Sequence, residues 1–288
     1  MFARRAALLL LAAFLAAVAV PARADTSGST LAAIKARGTI KIGVKYDSPP
    51  FGVLDPITNA VQGFDIDVAR ALAKAILGDP NKVTFTQVTS ANRIPLLENG
   101  DIDLFIATAT ITPARLQQID FSNVYYVAGE SLLVKKTSPV KSYKDLGGKT
   151  VCTTAGSTED TEIRKLAPGA TVQTFDSYAD CFQALKNGRI DVMTTDNTIL
   201  VGYQSQDPAE MQLVGGLLSF EPYGIGIAKG NDTLKAAVNA GLTAYFKSGD
   251  YAKSNMKWLH TPPAADANTW FGMDAAKAGD MFLADQKK

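Results

Sequence analysis

Several of the residues and motifs that most often mark an enzyme are missing from this sequence of 288 residues. It has a single histidine, His260, and only two cysteines. The signatures G-x-S-x-G, H-E-x-x-H and C-x-x-C and the phosphate-binding P-loop do not occur in it. We therefore expect no catalytic residues of these types, no metal centre and no cofactor.

Long apolar runs are also scarce. The one candidate, residues 6–20, follows two arginines and precedes a site of small residues that ends at Ala24. This is the pattern of a secretory signal peptide. An uncleaved membrane anchor is the alternative, but the run is short for a bilayer span of ~20 residues. We expect cleavage after Ala24 and a periplasmic mature protein.

Neither sign of charge dominates, since the chain has 29 basic and 28 acidic residues. Three arginines and no acid lie in residues 1–24, so the mature chain of 264 residues carries a net charge of −2. That balance gives no reason to expect a nucleic-acid partner. With 47% hydrophobic residues the chain can form two cores of ordinary domain size. We expect a two-lobed monomer.

The two cysteines, Cys152 and Cys181, belong to a chain bound for an oxidising compartment. An even number there favours a disulfide, and a metal site would need more ligands than one histidine can add. Two buried thiols are the alternative, because the sequence gives no geometry.

A short motif occurs twice in the chain. Asn-Gly-Asp-Ile-Asp-Leu-Phe-Ile fills residues 99–106, and Asn-Gly-Arg-Ile-Asp-Val-Met-Thr fills residues 187–194. In both copies a helical apolar pattern precedes Asn-Gly, and a strand follows it. The repeat predicts two similar α/β lobes. When the copies are aligned, Thr108 and Asp196 occupy the same place, beyond strand ends where such sheets bind ligands.

Two extended stretches that contain glycine, residues 127–134 and 220–227, are candidate crossovers between the lobes. They predict that the chain leaves lobe 1, builds lobe 2 and returns, with two linking strands acting as a hinge. Lobe 1 would comprise residues 25–128 and 222–288, including the tail, and lobe 2 residues 129–221.

An anion site is predicted near the first strand end. Thr112 and Pro113 form a helix start, and Arg115 lies in its first turn. An anion between this guanidinium and the helix N-terminus would be stabilised by both. A solvated surface arginine is the alternative. Thr158 begins a helix in the second lobe, either as part of the same site or as an ordinary cap.

Other charged residues lie near predicted strand ends or helix starts. Asp196 could hold an ammonium group, and Lys45 and Arg93 are two further cations. Each of these alone is more typical of a turn or a solvated surface. Asp65 and Asp67 resemble a metal-binding pair, but acids that start a helix are the commoner case.

The segment Gly63–Val68 and the helical pattern after it resemble the signature of the bacterial extracellular solute-binding proteins, family 3. Further segments continue the resemblance: Asn92–Leu97, Thr110–Arg115, Asp120–Ser122, Gly148–Val151, Gly156–Thr158, Asp196 and Glu221–Gly224. The resemblance covers about residues 31 to 259. It implies a type II periplasmic-binding-protein fold, with two α/β lobes joined by two hinge strands. It also implies that the chain delivers an amino acid to a membrane ABC permease.

The resemblance also assigns roles to scattered residues. It implies that Arg115 binds the ligand α-carboxylate, helped by Thr110 and Thr158. It implies that Asp196 binds the α-ammonium, with Thr108 beside it.

The ligand side chain is a separate question. Aspartate- and glutamate-binding members resemble this chain around Lys45 and Arg93, whereas members that bind basic amino acids carry an acid in place of Lys45. Together with Arg115, and against Asp196, these cations give a pocket of net charge +2, which a second ligand carboxylate would offset. We therefore expect aspartate or glutamate. Glutamine or another polar amino acid is the alternative ligand, and a dehydratase-like enzyme of the same fold is the alternative of another class.

Overall fold

The structure is a computed structural model that describes residues 31–286 of the chain. The signal peptide predicted for residues 1–24 lies outside the described residues. The helices are α1 (Leu31–Arg37), α2 (Phe64–Leu77), α3 (Arg93–Glu98), α4 (Pro113–Gln118), α5 (Glu159–Leu166), α6 (Tyr178–Lys186), α7 (Asn197–Gln204), α8 (Asp232–Lys247), α9 (Asp250–Leu259), α10 (Ala267–Trp270) and α11 (Ala275–Asp285). The strands are β1 (Ile40–Val44), β2 (Asp47–Ser48), β3 (Gly52–Leu54), β4 (Val61–Gln62), β5 (Val83–Gln87), β6 (Leu104–Ile106), β7 (Asp120–Phe121), β8 (Tyr126–Ala128), β9 (Glu130–Lys135), β10 (Thr150–Thr154), β11 (Thr171–Phe175), β12 (Val192–Asp196), β13 (Met211–Val214), β14 (Glu221–Tyr223) and β15 (Gly226–Ile227).

Lobe 1 is built on a five-stranded sheet of order β5-β1-β6-β15-β7. Strand β1 pairs in parallel with β5 and β6, and β15 pairs antiparallel with β6 and β7. Buried apolar side chains such as Ile42 and Ile106 face the core between this sheet and its helices. The carboxyl ends of β1 and β6 therefore meet at one edge of the lobe.

Lobe 2 is built on a second five-stranded sheet, of order β11-β10-β12-β9-β13. Strand β10 pairs in parallel with β11 and β12, and β9 pairs antiparallel with β12 and β13. Its core contains Leu132, Val151 and Val192, which are fully buried. Both lobes thus have three neighbouring parallel strands with an antiparallel strand beside them.

The two copies of the repeated motif adopt the same local structure. In each copy a helix is capped by the asparagine, and the glycine that follows has a positive φ, 77° at Gly100 and 69° at Gly188. Glycine adopts this left-handed conformation at no steric cost, so it ends the helix and lets the strand begin. The strand after it, β6 or β12, pairs in parallel with the first parallel strand of its lobe. This confirms the prediction of two lobes built alike.

Two strands link the lobes. Strands β8 and β14 pair antiparallel, with Tyr126 opposite Tyr223 and Ala128 opposite Glu221. They lie within or beside the two stretches that the sequence marks as crossovers, which confirms a fold with two hinge strands. The residue boundaries given for the lobes stay a prediction.

A disulfide joins Cys152 of β10 to Cys181 of α6. Both residues are fully buried. The bond therefore fixes the first strand of lobe 2 to the helix that precedes β12.

The C-terminal tail packs on lobe 1 and on the hinge. Helix α11 contacts α4 and β14. The rings of Phe271 and Phe246 are stacked with centroids 4.1 Å apart, and Trp270 meets Tyr126 of β8 edge to face. The tail therefore contacts both hinge strands as well as the lobe to which the sequence assigns it. Between residues 31 and 286, no helix combines the length and the apolar character needed to cross a bilayer.

Candidate functional site

A small cavity lies between the two lobes, with about 180 Å³ of space between the protein atoms, part of it open to solvent. Its walls come from both lobes and are almost entirely polar. They are Ser90, Arg93, Thr108, Thr110 and Arg115 from lobe 1, and Ser157, Thr158, Glu159, Tyr178 and Asp196 from lobe 2. Six of the seven ligand-binding residues predicted from the sequence are thus brought together, and Lys45 is the one outside this wall.

Arg115 bridges the two lobes at the cavity wall. The Thr112 side chain caps helix α4 by accepting a hydrogen bond from the Arg115 backbone N–H, and Pro113 occupies the first helical position, as predicted. Nη1 of Arg115 donates to the carbonyl oxygen of Thr110 at 2.8 Å, and Nη2 donates to that of Gly156 in lobe 2 at 3.0 Å. The guanidinium is therefore held in a fixed orientation beside the cavity.

Thr158 does not cap the helix that it precedes. Its hydroxyl donates to Oε2 of Glu221 at 3.2 Å, and no side-chain cap bond forms at the start of α5. Ser219 holds the other carboxyl oxygen of Glu221 at 2.7 Å. The interpretation of Thr158 as an ordinary helix cap is therefore wrong, because its side chain is directed to hinge strand β14 instead.

Asp196 ends strand β12 at the cavity and is 3% exposed. Its Oδ2 accepts a hydrogen bond of 2.6 Å from the Tyr223 hydroxyl, while Oδ1 has no hydrogen-bond partner within residues 31–286. Burial, and next the nearby charge of Glu159, raise the pKa of Asp196 well above its usual range. A cationic donor at Oδ1 would satisfy this oxygen and stabilise the carboxylate.

Thr108 has a left-handed backbone conformation, with φ of 46°. That conformation is strained for a β-branched residue, so the surrounding structure must hold it. Asp65 does so: its Oδ2 accepts a hydrogen bond from Thr108 N at 3.1 Å, and its Oδ1 accepts one from the Tyr125 hydroxyl at 2.9 Å. Burial raises the pKa of Asp65 to about 7. Asp67 faces elsewhere, toward Trp258, so the two acids do not converge on one ion.

Lys45 and Arg93, the two cations that the sequence analysis places near the ligand side chain, differ in their position relative to the cavity. Nζ of Lys45 donates to Oγ of Ser90 at 2.9 Å and lies 5.0 Å from the centre of the Tyr178 ring, behind the cavity wall. Burial lowers the pKa of Lys45 to about 8. Arg93 lines the cavity, and its Nη1 donates to the carbonyl oxygen of Ala107 at 2.6 Å. Lys45 can therefore act on a ligand only through Ser90 or through its charge.

Glu159 is the cavity residue that changes the charge argument. It is the first residue of α5 and is 1% exposed, and Oε1 has no hydrogen-bond partner among the described residues. Burial raises the pKa of Glu159, whereas the guanidinium groups of Arg115 and Arg93 act in the opposite direction. The residues that line the cavity therefore comprise two cations and two acids. The net charge of +2 expected from the sequence omits Glu159 and includes Lys45, so it does not describe this wall.

Contacts outside the cavity show that the lobes are closed on each other. Oδ2 of Asp47 accepts a hydrogen bond from the backbone N–H of Tyr178 at 2.7 Å, and the Asp47 carbonyl oxygen accepts one from the Tyr203 hydroxyl at 2.5 Å. At a second point, a Cβ atom on Gly156 would lie only 2.9 Å from Cα of Ala91. Lobe 1 and lobe 2 therefore touch on both sides of the cavity.

Two similar lobes, a pair of hinge strands and a polar cavity closed between them define the class of solute-binding proteins with a type II periplasmic-binding-protein fold. The chain belongs to the bacterial extracellular solute-binding proteins, family 3, whose family model matches residues 40–261. The resemblance noted from the sequence is thereby confirmed.

Several relatives are named for the amino acid that they bind. The ABC transporter glutamine-binding protein GlnH of Bacillus subtilis is 46% identical over 241 residues, which are 83% of this chain and 88% of the relative. The glutamine-binding protein of Geobacillus stearothermophilus is 52% identical over 202 residues, 70% of this chain and 77% of the relative. The glutamate-binding protein GluB of Corynebacterium efficiens is 35% identical over 255 residues, 84% of this chain and 86% of the relative.

A solved structure agrees in fold with this chain over most of its length. It is an ancestral arginine-binding protein bound to glutamine, with a TM-score of 0.74 and 42% sequence identity. The match covers 78% of this chain and 99% of that protein.

Proposed function

We propose that this chain is the extracytoplasmic substrate-binding subunit of an ABC amino-acid importer, and that the amino acid closed between its lobes is glutamine. Glutamine is the ligand that the sequence analysis gives as the alternative to aspartate or glutamate.

The observation that carries the proposal is that Arg115 and Asp196 line the same cavity from different lobes. A guanidinium can bind an α-carboxylate through two parallel hydrogen bonds. The unpartnered Oδ1 of Asp196 is a suitable acceptor for an α-ammonium group. Thr108, Thr110 and Thr158 line the same cavity. An α-amino acid is the ligand class that has both charged groups on adjacent atoms.

Two observations favour glutamine over an acidic ligand. The cavity wall has as many acids as cations once Glu159 is counted, so a ligand without net charge leaves the site balanced. In addition, the two relatives that are 46% and 52% identical to this chain are named as glutamine-binding, whereas the glutamate-binding relative is 35% identical.

Isothermal titration of the refolded, ligand-free mature protein against the set of amino acids tests the proposal. We expect glutamine to bind most tightly, with glutamate and aspartate weaker by about tenfold or more, the cost of one poorly paired charge. Tighter binding of glutamate than of glutamine would overturn the glutamine assignment. Prephenate and arogenate serve as controls for the enzyme alternative, and we expect no turnover of either, because the relatives named above are binding proteins.

A further inference from the structure

Glu159 stands out among the cavity residues because no amino-acid anchor described so far uses it. Its side chain lines the same cavity as Arg93 and Arg115, and it is 1% exposed. One carboxyl oxygen, Oε1, is buried without a hydrogen-bond partner in the part of the chain that the structure describes. A buried acid of this kind is costly unless a ligand or a cation compensates it.

We propose that Glu159 is a specificity-determining residue, whose negative charge makes the cavity select a neutral amino acid and reject an acidic one. This inference deepens the proposed function and rests on it.

The physical basis is the Coulomb energy in a site from which water is excluded. A ligand side-chain carboxylate would be confined in the same small cavity as the Glu159 carboxylate, and the repulsion of two like charges is large where the effective dielectric constant is low. When Glu159 and Asp196 are ionised, their charges offset those of Arg93 and Arg115, and the residues that line the wall then carry no net charge. A side-chain amide brings no charge, and its NH₂ group can donate to a carboxylate oxygen.

The chain supplies a matched control on the same helix. Glu162 is one turn further along α5 and is 4% exposed, but it does not line the cavity, and its side chain is hydrogen-bonded to Glu130 and Gln286. Replacing Glu159 or Glu162 by glutamine removes a carboxyl group from the same helix at nearly the same helix propensity. The two variants differ in that Glu159 lines the cavity, whereas Glu162 bonds Glu130 and Gln286 and interacts with Glu159 through its charge.

The experiment measures glutamine and glutamate affinities by titration for the wild type and for Glu159→Gln, Glu159→Asp and Glu162→Gln. Thermal unfolding of each variant is followed in parallel. We expect Glu159→Gln to raise the ratio of glutamate affinity to glutamine affinity by about tenfold or more. Glu159→Asp keeps the charge and should keep the wild-type preference for glutamine. Glu162→Gln should change the ratio by less than about threefold, because Glu162 does not line the cavity.

The ratio is compared between variants, so it is independent of which ligand the wild type prefers. A wild type that prefers glutamate would overturn the proposed function, while an unchanged ratio in Glu159→Gln would overturn the role of Glu159. An equal shift in Glu162→Gln would also overturn it, because the effect would then be one of overall charge. If Glu159→Gln does not fold, loss of the glutamine preference in Glu159→Asp counts against the inference. If no variant binds either amino acid, both proposals fail.

Discussion

The hydroxyl of Tyr223 lies 2.6 Å from Oδ2 of Asp196, which connects hinge strand β14 to the end of strand β12 in lobe 2. Both residues are buried, and Tyr223 also pairs with Tyr126 in the other hinge strand. The carboxylate proposed for the ligand ammonium is therefore oriented by a residue that belongs to the hinge. Through this bond the geometry of the hinge and that of the cavity depend on each other.

Tyr223→Phe should weaken glutamine binding by about tenfold or more. The variant removes a hydrogen bond to a carboxylate, a type that contributes more than a bond between neutral groups, and leaves Asp196 free to turn away from the ligand. Titration calorimetry on the ligand-free variant measures the change. Tyr245→Phe is the control, because its hydroxyl bonds Ser254 in a different part of lobe 1. Equal affinities in Tyr223→Phe and in the wild type would contradict the orienting role.

Gly202→Ala should hinder closure of the two lobes, although alanine favours the helix that contains this position. Gly202 lies in α7 of lobe 2, where a Cβ atom would collide with the Pro49 carbonyl group of lobe 1, 2.7 Å from its carbon atom. Alanine is otherwise preferred over glycine in a helix by about 1 kcal/mol. We expect glutamine affinity to fall by about tenfold or more, because the closed state is the one that binds. Small-angle scattering should show a smaller decrease in radius of gyration on adding glutamine than in the wild type.

Gly147→Ala is the matched control for that experiment. A Cβ atom at Gly147 would have no other atom within 4 Å, and this glycine does not have a positive φ. The Gly147→Ala variant should bind glutamine with wild-type affinity, and its lobes should close as in the wild type. If Gly202→Ala does the same, the contact between α7 and Pro49 does not limit closure.

Removal of the disulfide should destabilise the protein. The bond closes a loop across 29 positions, and loop-closure entropy gives about 3–4 kcal/mol for a loop of that length. Cys152→Ser combined with Cys181→Ser should lower the free energy of unfolding by about that amount in urea titrations. Wild type measured in reductant provides the comparison without a substitution. Mass spectrometry that finds two alkylatable thiols in native secreted protein would refute the bond itself.

Asp65 should make stability fall with rising pH. Burial raises its pKa from 3.8 to about 7 in the folded protein, so between those values the folded state binds more protons than the unfolded state. The contribution of Asp65 is then fully present below pH 4 and is lost as the pH rises to about 7, by at most about 1.4 kcal/mol per pH unit. Asp65→Asn should remove this slope when unfolding is measured from pH 4 to pH 7. Parallel curves for the two proteins would contradict the assignment.

Local signals in the sequence were enough to predict the helices and strands that carry the proposed ligand-binding residues. Apolar spacing predicts helix α2, the pair Thr112 and Pro113 predicts the start of α4, and the repeat predicts that Asp196 follows a strand. The first two predictions depend on residues within a few positions of one another, and the third depends on the similarity of residues 99–106 and 187–194. The family resemblance then selects which of the scattered polar residues to expect in one site.

The remaining features of the site depend on tertiary contacts that have no local signature. Glu159 follows Thr158 directly, so it could have been included in the charge count, but only the cavity shows that it belongs to the wall. Tyr223 is 27 positions from the Asp196 carboxyl group that it holds. Lys45 appears equivalent to Arg93 in the sequence, yet packing places it behind Ser90. Net charge within a site therefore could not be derived before the fold was known.

The position of β15 makes the sheet of lobe 1 depend on a part of the chain that follows lobe 2. Residues 226–227 form the strand between β6 and β7, and they follow the whole of lobe 2 in the chain. Strand β7 has its sheet partner in β15, so the sheet of lobe 1 is completed only after lobe 2 has emerged. All five strands of the lobe 2 sheet, by contrast, come from the continuous stretch 130–214. Lobe 2 can therefore fold first. Until β15 is present, the strands of lobe 1 made earlier have an unpaired edge that other chains or chaperones can pair with.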